Sequence, residues 1–177
     1  MQFLKATGFL QYFKIKRLYK QSFPQNERKP FSIIKSMQKK GKTDIWYFTE
    51  KNQFIGFATT INGSKTILID YFAVCKDTRG KGFGTKMLKT LLEYYDTKGV
   101  FLEIEIPYTT ALNYDERLKR KKFYLNAGLS PMGTQAKLFG VDMELLGFNC
   151  ELTFDQYREF YLNNYGKFAY DNIKRID

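Results

Sequence analysis

The sequence predicts a mixed α/β fold, in which a central and mostly antiparallel sheet is flanked by helices. Two observations support this class. Three β-rich runs separated by turn residues follow one another in the first half of the chain, and a glycine-rich loop then joins a strand to an amphipathic helix. The consecutive strands predict an antiparallel meander, whereas the strand–loop–helix–strand order predicts one parallel crossover.

The elements before the loop are predicted from periodicity and turn residues. Phe3–Ala6 is predicted as a short strand, and apolar residues at helical spacing predict a helix over Phe9–Ser22. A second short helix is predicted over Phe31–Lys39. The turn residues Glu50-Lys51-Asn52 separate the first two strands of the meander, and the dipeptide Asn62-Gly63 predicts a two-residue hairpin turn after the second. The three strands of the meander are predicted over Ile45–Thr49, Gln53–Ile61 and Thr66–Val74.

The elements after the loop alternate between helices and strands. Apolar residues from Phe83 to Tyr95 recur at helical spacing, and Val100–Ile106 is predicted as the next strand. Two capping boxes predict helices that begin near residues 114 and 154. The boxes are Asn113 with Glu116, and Thr153 with Gln156. Two more strands are predicted between these helices, over Leu129–Leu138 and Val141–Phe148.

Composition excludes several kinds of catalytic chemistry. The 177 residues include no histidine and two cysteines, so the chain has no Ser-His-Asp triad, no Cys-His pair and no predicted metal site. The length suits a single domain over 1–177, with a core at 1–150 and a C-terminal helix and tail at 151–177. No signal peptide or membrane-length apolar run is found, which predicts a cytoplasmic protein without a membrane partner.

The chain is strongly basic, with 29 Lys and Arg against 18 Asp and Glu and a net charge of +11. This excess favours an anionic partner, which is a phosphorylated cofactor, a nucleic acid or a membrane surface. The alternative explanation is that the positive charge serves only to keep the protein soluble. The glycine-rich loop at 79–84 offers the clearest place for an anion.

The loop combines three glycines with positive charge. Gly80, Gly82 and Gly84 allow backbone N–H groups to turn outward, and Arg79 and Lys81 add two cations. The helix that follows directs the positive end of its dipole at the loop, which suits phosphate oxygens. The sequence therefore predicts a phosphate site, with a tight strand-to-helix turn as the structural alternative.

Two known phosphate motifs fit the loop poorly. A Walker A motif has no match in the sequence. A dinucleotide fingerprint is matched only in part, because Thr85 follows the third glycine, although Glu103 or Glu105 lies about 20 residues on, where a ribose-binding acid is expected. A nucleotide- or dinucleotide-binding enzyme is thus one alternative function.

The segment Arg79–Gly84 fits the coenzyme A motif R/Q-x-x-G-x-G/A, and here the chain resembles the acetyl-CoA-dependent GNAT superfamily of N-acetyltransferases. Phe72-Ala73-Val74 is similar to the end of that family's fourth strand, and Val100–Ile106 to its fifth. Phe123–Leu129 is similar to its Phe-Tyr-x-x-x-Gly element. The resemblance runs to about Phe148. It implies a GNAT-like fold and transfer of an acetyl group from acetyl-CoA to a primary amine of a small molecule or peptide.

The resemblance also implies roles for individual residues. The diphosphate of coenzyme A is expected on the loop, and the pantetheine arm beside the preceding strand. Tyr124 is implied as the general acid that protonates the leaving thiolate. One departure is Arg117, which stands about where many members carry an asparagine. The implied cofactor contacts are Phe72, Ala73, Val74, Arg79, Gly80, Lys81, Gly82, Phe83, Gly84 and Thr85.

The base that deprotonates the amine stays open at this stage. Asp70, Glu103 and Glu105 are the candidates, and each is also explained as a strand residue paired with a cation. An amine that arrives neutral needs no dedicated base. Late strands of this superfamily often form dimers, so a homodimer is a candidate assembly. A non-enzymatic nucleic-acid module, with the basic run 119–122 as its best site, is the second alternative function.

Overall fold

Eight strands, six α-helices and two short 3-10 helices, Gln25–Glu27 and Lys76–Thr78, lie within residues 1–176, the part of the chain that the computed structural model describes. The strands are β1 (Gln2–Lys5), β2 (Thr43–Glu50), β3 (Gln53–Asn62), β4 (Thr66–Val74), β5 (Gly99–Glu105), β6 (Ser130–Leu138), β7 (Val141–Phe148) and β8 (Ile173–Arg175). The helices are α1 (Phe9–Ser22), α2 (Phe31–Lys39), α3 (Phe83–Tyr94), α4 (Tyr114–Asn126), α5 (Phe154–Tyr165) and α6 (Lys167–Asp171). Across residues 1–176, no helix combines the length and apolar character needed to cross a bilayer.

The predicted mixed α/β class is confirmed. The strands form one sheet in the order β1-β2-β3-β4-β5-β7-β6-β8. Strand β4 pairs with β5 in parallel, as expected for the crossover through α3. The ladders β1–β2, β2–β3, β5–β7, β6–β7 and β6–β8 are antiparallel.

The turn between the first two strands of the meander lies at Glu50-Lys51-Asn52, where the sequence predicts it. Lys51 and Asn52 have φ angles of 47° and 62° and connect β2 directly to β3, as a turn with two left-handed residues does. The predicted turn after β3 is present but longer than the predicted two residues, because Asn62 is the last residue of β3 and three residues, 63–65, separate it from β4. Gly63 allows a close approach, since a Cβ there would lie 2.8 Å from the ring of Phe160.

The two predicted capping boxes have different outcomes. Thr153 and Gln156 form the predicted box at the start of α5, with the Thr153 side chain accepting from the Gln156 N–H at 3.3 Å. Helix α4 begins at Tyr114 as expected, but the Asn113 side chain makes no cap hydrogen bond, so that box is wrong. The Asn113 Oδ1 atom accepts instead from the Arg117 Nε atom at 2.8 Å.

Tertiary contacts divide the chain into two compact units. The first comprises Met1–Asn62 and Ile69–Leu88. In this unit α1 packs on β3 and α2 packs on β2. Helix α3 approaches β3 closely at Gly56, where a Cβ would lie 2.5 Å from the carbonyl oxygen of Ala73 and 2.7 Å from the Met87 side chain. This close packing fixes the start of α3, and with it the loop that precedes the helix.

The second unit comprises Gly63–Leu68 and the residues from Lys89 onward. Helix α4 packs on β5, and α5 packs on β6 and α6. The side chains of Phe101 and Tyr157 are fully buried in this unit, and their rings meet edge to face at 6.3 Å. Helix α6 and strand β8 were not predicted, because five and three residues are too short to show a period.

Candidate functional site

Strand β4 leads into the glycine loop and extends past its ladder with β5. That ladder pairs only Thr66–Leu68 with Gly99–Phe101, whereas β4 continues to Val74. The strand is terminated at Cys75, whose N–H donates to the carbonyl of Ile55 at 2.8 Å. The predicted contacts Phe72, Ala73 and Val74 therefore lie on the part of β4 beyond the β5 ladder.

Two glycines shape the loop between β4 and α3. Gly80 and Gly82 have φ angles of 74° and 77°, a region that side chains rarely adopt, and a Cβ at either position would meet nothing within 4 Å. Gly84 does not belong to the loop as predicted, because α3 begins at Phe83 and includes it. The loop thus has two glycines that require their backbone conformation, both facing open space.

The loop cations are tethered by backbone carbonyls. The Arg79 Nε atom donates to the carbonyl of Val74 at 3.3 Å, and the Lys81 Nζ atom donates to the carbonyl of Asp77 at 2.9 Å. Both side chains are exposed. These bonds hold two positive charges on either side of Gly80 without neutralising them, because a carbonyl carries no net charge.

The start of α3 supplies further donors. The first helical bond runs from the Lys86 N–H to the carbonyl of Gly82 at 3.1 Å. The N–H groups of Phe83, Gly84 and Thr85 therefore have no acceptor within the helix, and they carry the partial positive charge of its N-terminus. Together with the two cations and the open side of the glycines, these donors fit a diphosphate group.

Asp70 lies in the middle of β4 and is ion-paired. Its Oδ1 atom accepts from the Lys29 Nζ atom at 2.7 Å, and the Asp70 side chain is only 9% exposed. The Lys29 ammonium also lies 5.6 Å from the centre of the Tyr71 ring. The predicted base is thus present as a shielded carboxylate that already has a cationic partner.

Two tyrosines hold Lys29 in place from both sides of its backbone. The Tyr71 hydroxyl accepts from the Lys29 N–H at 3.1 Å, and the Tyr19 hydroxyl donates to the Lys29 carbonyl at 3.0 Å. Burial is the main cause that raises the pKa of both phenols, so they stay neutral. No local motif indicated this arrangement, because Lys29 and Asp70 lie far apart in sequence.

Tyr124 lies near the end of α4 in the second unit. The Tyr124 side chain is partly exposed. Desolvation by the surrounding protein nevertheless raises the pKa of Tyr124 to about 12, although the Arg120 charge acts to lower it. No hydrogen-bond partner of its hydroxyl is found among the described residues. The predicted general acid is therefore a neutral phenol whose proton is not engaged there.

Glu103 on β5 is held by two residues of α5. Its Oε1 atom accepts from the hydroxyls of Tyr157 and Tyr161, each at 2.7 Å. Burial, with the Glu103 carboxylate as the second cause, raises the pKa of Tyr157 well above its usual value. The one-turn spacing of the two tyrosines was the available sequence signal, since residues i and i+4 share a helix face.

Glu105 and Arg117 join β5 to α4. The Arg117 guanidinium lies 2.8 Å from the Glu105 Oε1 atom and donates to the carbonyl of Ile106 at 3.0 Å. Arg120 adds a longer contact of 3.6 Å to Glu105. Arg117 thus has a structural role in this unit at the position where the resemblance implied an asparagine.

The two cysteines are half-buried free thiols. Burial raises the pKa of Cys75, and it raises the pKa of Cys150 to about 11. Raised pKa values make both thiols poor nucleophiles at neutral pH, because the thiolate is the reactive form.

Comparison with known proteins gives a family match and a set of structural neighbours. The family model "Acetyltransferase (GNAT) family" matches residues 12–118, more than half of the chain. A search of the curated proteins finds no match. Among solved structures, a GNAT-family protein from Bacteroides thetaiotaomicron superposes with a TM-score of 0.77 at 19% identity, covering 94% of this chain and 99% of its own.

Two further neighbours were solved with coenzyme A. An acetyltransferase from Bacillus subtilis in complex with CoA gives a TM-score of 0.60 at 13% identity, covering 86% of this chain and 97% of its own. Spermidine N-acetyltransferase from Vibrio cholerae, in complex with CoA and spermine, gives a TM-score of 0.63 at 13% identity, covering 83% of this chain and 94% of its own. At these identities the neighbours establish the fold.

Proposed function

Because the chain belongs to the acetyltransferase (GNAT) family, whose members use acetyl-CoA, we propose that it transfers the acetyl group of acetyl-CoA to a primary amine by direct attack on the thioester. The acceptor is a small molecule or a peptide. The half-buried free thiols Cys75 and Cys150 suit a reducing compartment, so we assign the protein to the cytoplasm. A homodimer stays a prediction.

The loop between β4 and α3 is the observation that carries this proposal. Arg79 and Lys81, with the N–H groups of residues 80–85, would hold the diphosphate. When bound, acetyl-CoA supplies an acetyl thioester. The end of β4 near Val74 would hold the pantetheine arm, and its backbone N–H groups would polarise the thioester carbonyl.

Tyr124 serves as the proton donor in this proposal. The C–N bond forms as the C–S bond breaks, and the departing sulfur needs a proton that a neutral phenol can donate. The raised pKa of Tyr124 keeps its hydroxyl protonated at neutral pH, and no partner among residues 1–176 competes for that proton.

A carboxylate on β4 or β5 accepts the proton of the amine. Asp70 and Glu103 are our candidates, and they differ in their partners: Asp70 faces an ammonium, whereas Glu103 accepts from two phenols. Glu105 is less suited, because Arg117 and Arg120 both lie against it. Either candidate acts directly or through one water.

Binding of acetyl-CoA and turnover with an amine test the proposed function. Calorimetric titration of acetyl-CoA into the protein should give saturable binding, and a panel of primary amines should then release CoA thiol. In parallel thermal shift assays, acetyl-CoA or CoA should raise Tm, whereas NAD and ATP should not. Protection by NAD or ATP alone would indicate the nucleotide-binding alternative instead.

The pH profiles of two variants test the base. Asp70→Asn and Glu103→Gln each remove one candidate. The variant that lacks the true base should show a kcat/KM about a hundredfold lower than the wild type at pH 7, but only a few-fold lower at pH 10. The difference arises because a lysine-type acceptor amine, with a pKa of about 10.4, is roughly one-quarter neutral at pH 10 but less than about one-thousandth neutral at pH 7. Equal losses at both pH values in both variants would show that neither carboxylate is the base.

A further inference from the structure

Most of the net positive charge of the chain lies in residues 14–42, which we call the basic segment. It contains ten Lys and Arg residues and one carboxylate, Glu27, and so carries +9 of the total charge of +11. The segment includes most of α1 and all of α2. The loop proposed to hold the diphosphate lies outside it, so cofactor binding does not account for this charge.

The basic segment presents its charge to solvent. Helix α1 contains no acidic residue. Six cations of the segment are exposed, and none of the six has a carboxylate partner in the described part of the chain. These cations are Lys14, Lys16, Arg17, Lys20, Lys39 and Lys40. A set of exposed like charges without carboxylate partners attracts anions, which favours a polyanionic partner.

Large apolar side chains are exposed on the same helices. On α1, Phe9, Leu10 and Phe13 are 81%, 71% and 59% exposed, and on α2, Ile33 is 48% exposed. Phe9 and Phe13 are one helical turn apart and lie on the same face. Clustered apolar groups at a surface are typical of an interaction site. Combined with the cations, they fit a partner that carries carboxylates beside apolar groups.

The basic segment also reaches the strand that leads to the cofactor loop. Lys29, fixed through its backbone by two tyrosines, places its ammonium 2.7 Å from Asp70. Asp70 is the only acidic residue in β4. Its charge is already balanced by Lys29, and the exposed cations repel other cations. The basic segment therefore repels a polyamine, and the paired Asp70 does little to offset that repulsion.

We infer that the acceptor in the proposed acetyl transfer is an acidic polypeptide that docks on the basic segment. The inference rests on the proposed function and names its substrate class. A polypeptide brings aliphatic amines at its N-terminus and its lysines, and its apolar side chains can cover Leu10 and Ile33. Nucleic acids lack aliphatic amines, so a nucleic acid bound at this surface cannot be the acetyl acceptor.

Matched peptides test the docking and the transfer separately. One peptide of about ten residues carries a free N-terminal amine, several glutamates and two leucines; its partner replaces the glutamates with lysines. Fluorescence anisotropy without acetyl-CoA should detect binding of the acidic peptide only, weakening as salt is added. With acetyl-CoA, the acidic peptide should be acetylated with a kcat/KM at least tenfold above that of the lysine peptide and of spermidine.

Charge-reversal variants locate the surface. Lys16→Glu, Arg17→Glu and Lys20→Glu combined should lower kcat/KM for the acidic peptide at least tenfold, and leave the KM for acetyl-CoA and turnover of a small neutral amine unchanged. The matched control combines Lys65→Glu, Lys89→Glu and Lys174→Glu, at exposed lysines outside the basic segment that have no carboxylate partner among residues 1–176. It changes the charge equally and should alter kcat/KM for the acidic peptide less than twofold. Equal effects of both triples would overturn the docking site.

The remaining outcomes distinguish the docking from the chemistry. Binding of the acidic peptide without acetylation of any amine would support the docking surface and refute the acetyl transfer. Acetylation of small amines without preference for the acidic peptide would support the acetyl transfer and refute the docking of an acidic polypeptide. Competition of the peptide by an RNA oligonucleotide, or by vesicles containing anionic lipid, at lower concentrations than any acidic peptide would assign the surface to that ligand and overturn our inference.

Discussion

Replacing Gly82 with glutamate is expected to abolish acetyl-CoA binding while the protein stays folded. Gly82 has a φ angle of 77°, and a Cβ there meets no protein atom within 4 Å, so the side chain extends into the space that faces the N-terminus of α3. A carboxylate in that space repels a diphosphate and competes for the same N–H donors. We expect the Kd for acetyl-CoA to rise at least about a hundredfold, or about 2.7 kcal/mol.

Gly41→Glu is the matched control for Gly82→Glu. Gly41 follows α2, has a φ angle of 72° and is equally open, so the substitution introduces the same backbone strain away from the loop. Calorimetry should give the wild-type Kd for this control, and thermal melts should show similar losses of Tm in both variants. Unchanged acetyl-CoA affinity in Gly82→Glu would remove the loop from the proposed site.

Tyr124→Phe should lower kcat about a hundredfold to a thousandfold without changing the Kd for acetyl-CoA. The substitution removes only the hydroxyl, and that hydroxyl has no hydrogen-bond partner among residues 1–176, so little stability should be lost. The lost proton donor accounts for the fall in kcat. Because the pKa of Tyr124 is raised to about 12, the wild-type enzyme should show no loss of kcat from its ionisation below about pH 11.

Tyr114→Phe on the same helix is the control for Tyr124→Phe. It removes a phenolic hydroxyl from the first residue of α4, and kcat should stay within about twofold of the wild type. Stopped-flow measurement of CoA release separates the chemical step from product release in all three proteins. A Tyr124→Phe enzyme with normal kcat would exclude Tyr124 as the general acid.

Local sequence patterns predicted the elements well where nothing distant competed with them. The same type of capping box succeeded at Thr153 and failed at Asn113, although the helix boundary was right in both cases. At Asn113 the side-chain oxygen is taken by Arg117, whose guanidinium also bonds β5. A spacing rule describes only the local chain, so it cannot anticipate a partner that tertiary structure supplies.

The candidate site was predictable in its motifs but not in its ion pairs. The loop and Tyr124 lie in contiguous motifs, and the sequence locates them directly. Asp70 meets Lys29 across 41 residues, and Glu103 meets Tyr157 across 54. Such contacts depend on how strands and helices pack, and any of the many lysines and tyrosines in the chain satisfies the same chemistry. The identity of a partner therefore emerges only from the fold.

Strand β4 has a consequence for any attempt to divide this protein into fragments. Its first residues, Thr66–Leu68, belong to one compact unit, and the rest of the strand belongs to the other. Each unit is moreover assembled from two separate stretches of chain. No single cleavage point separates the two units, because a cut after Leu88 leaves Gly63–Leu68 with the first unit and a cut before Gly63 leaves Ile69–Leu88 with the second. Truncated and split versions of the protein should therefore recover function only when both pieces reassemble around an intact β4.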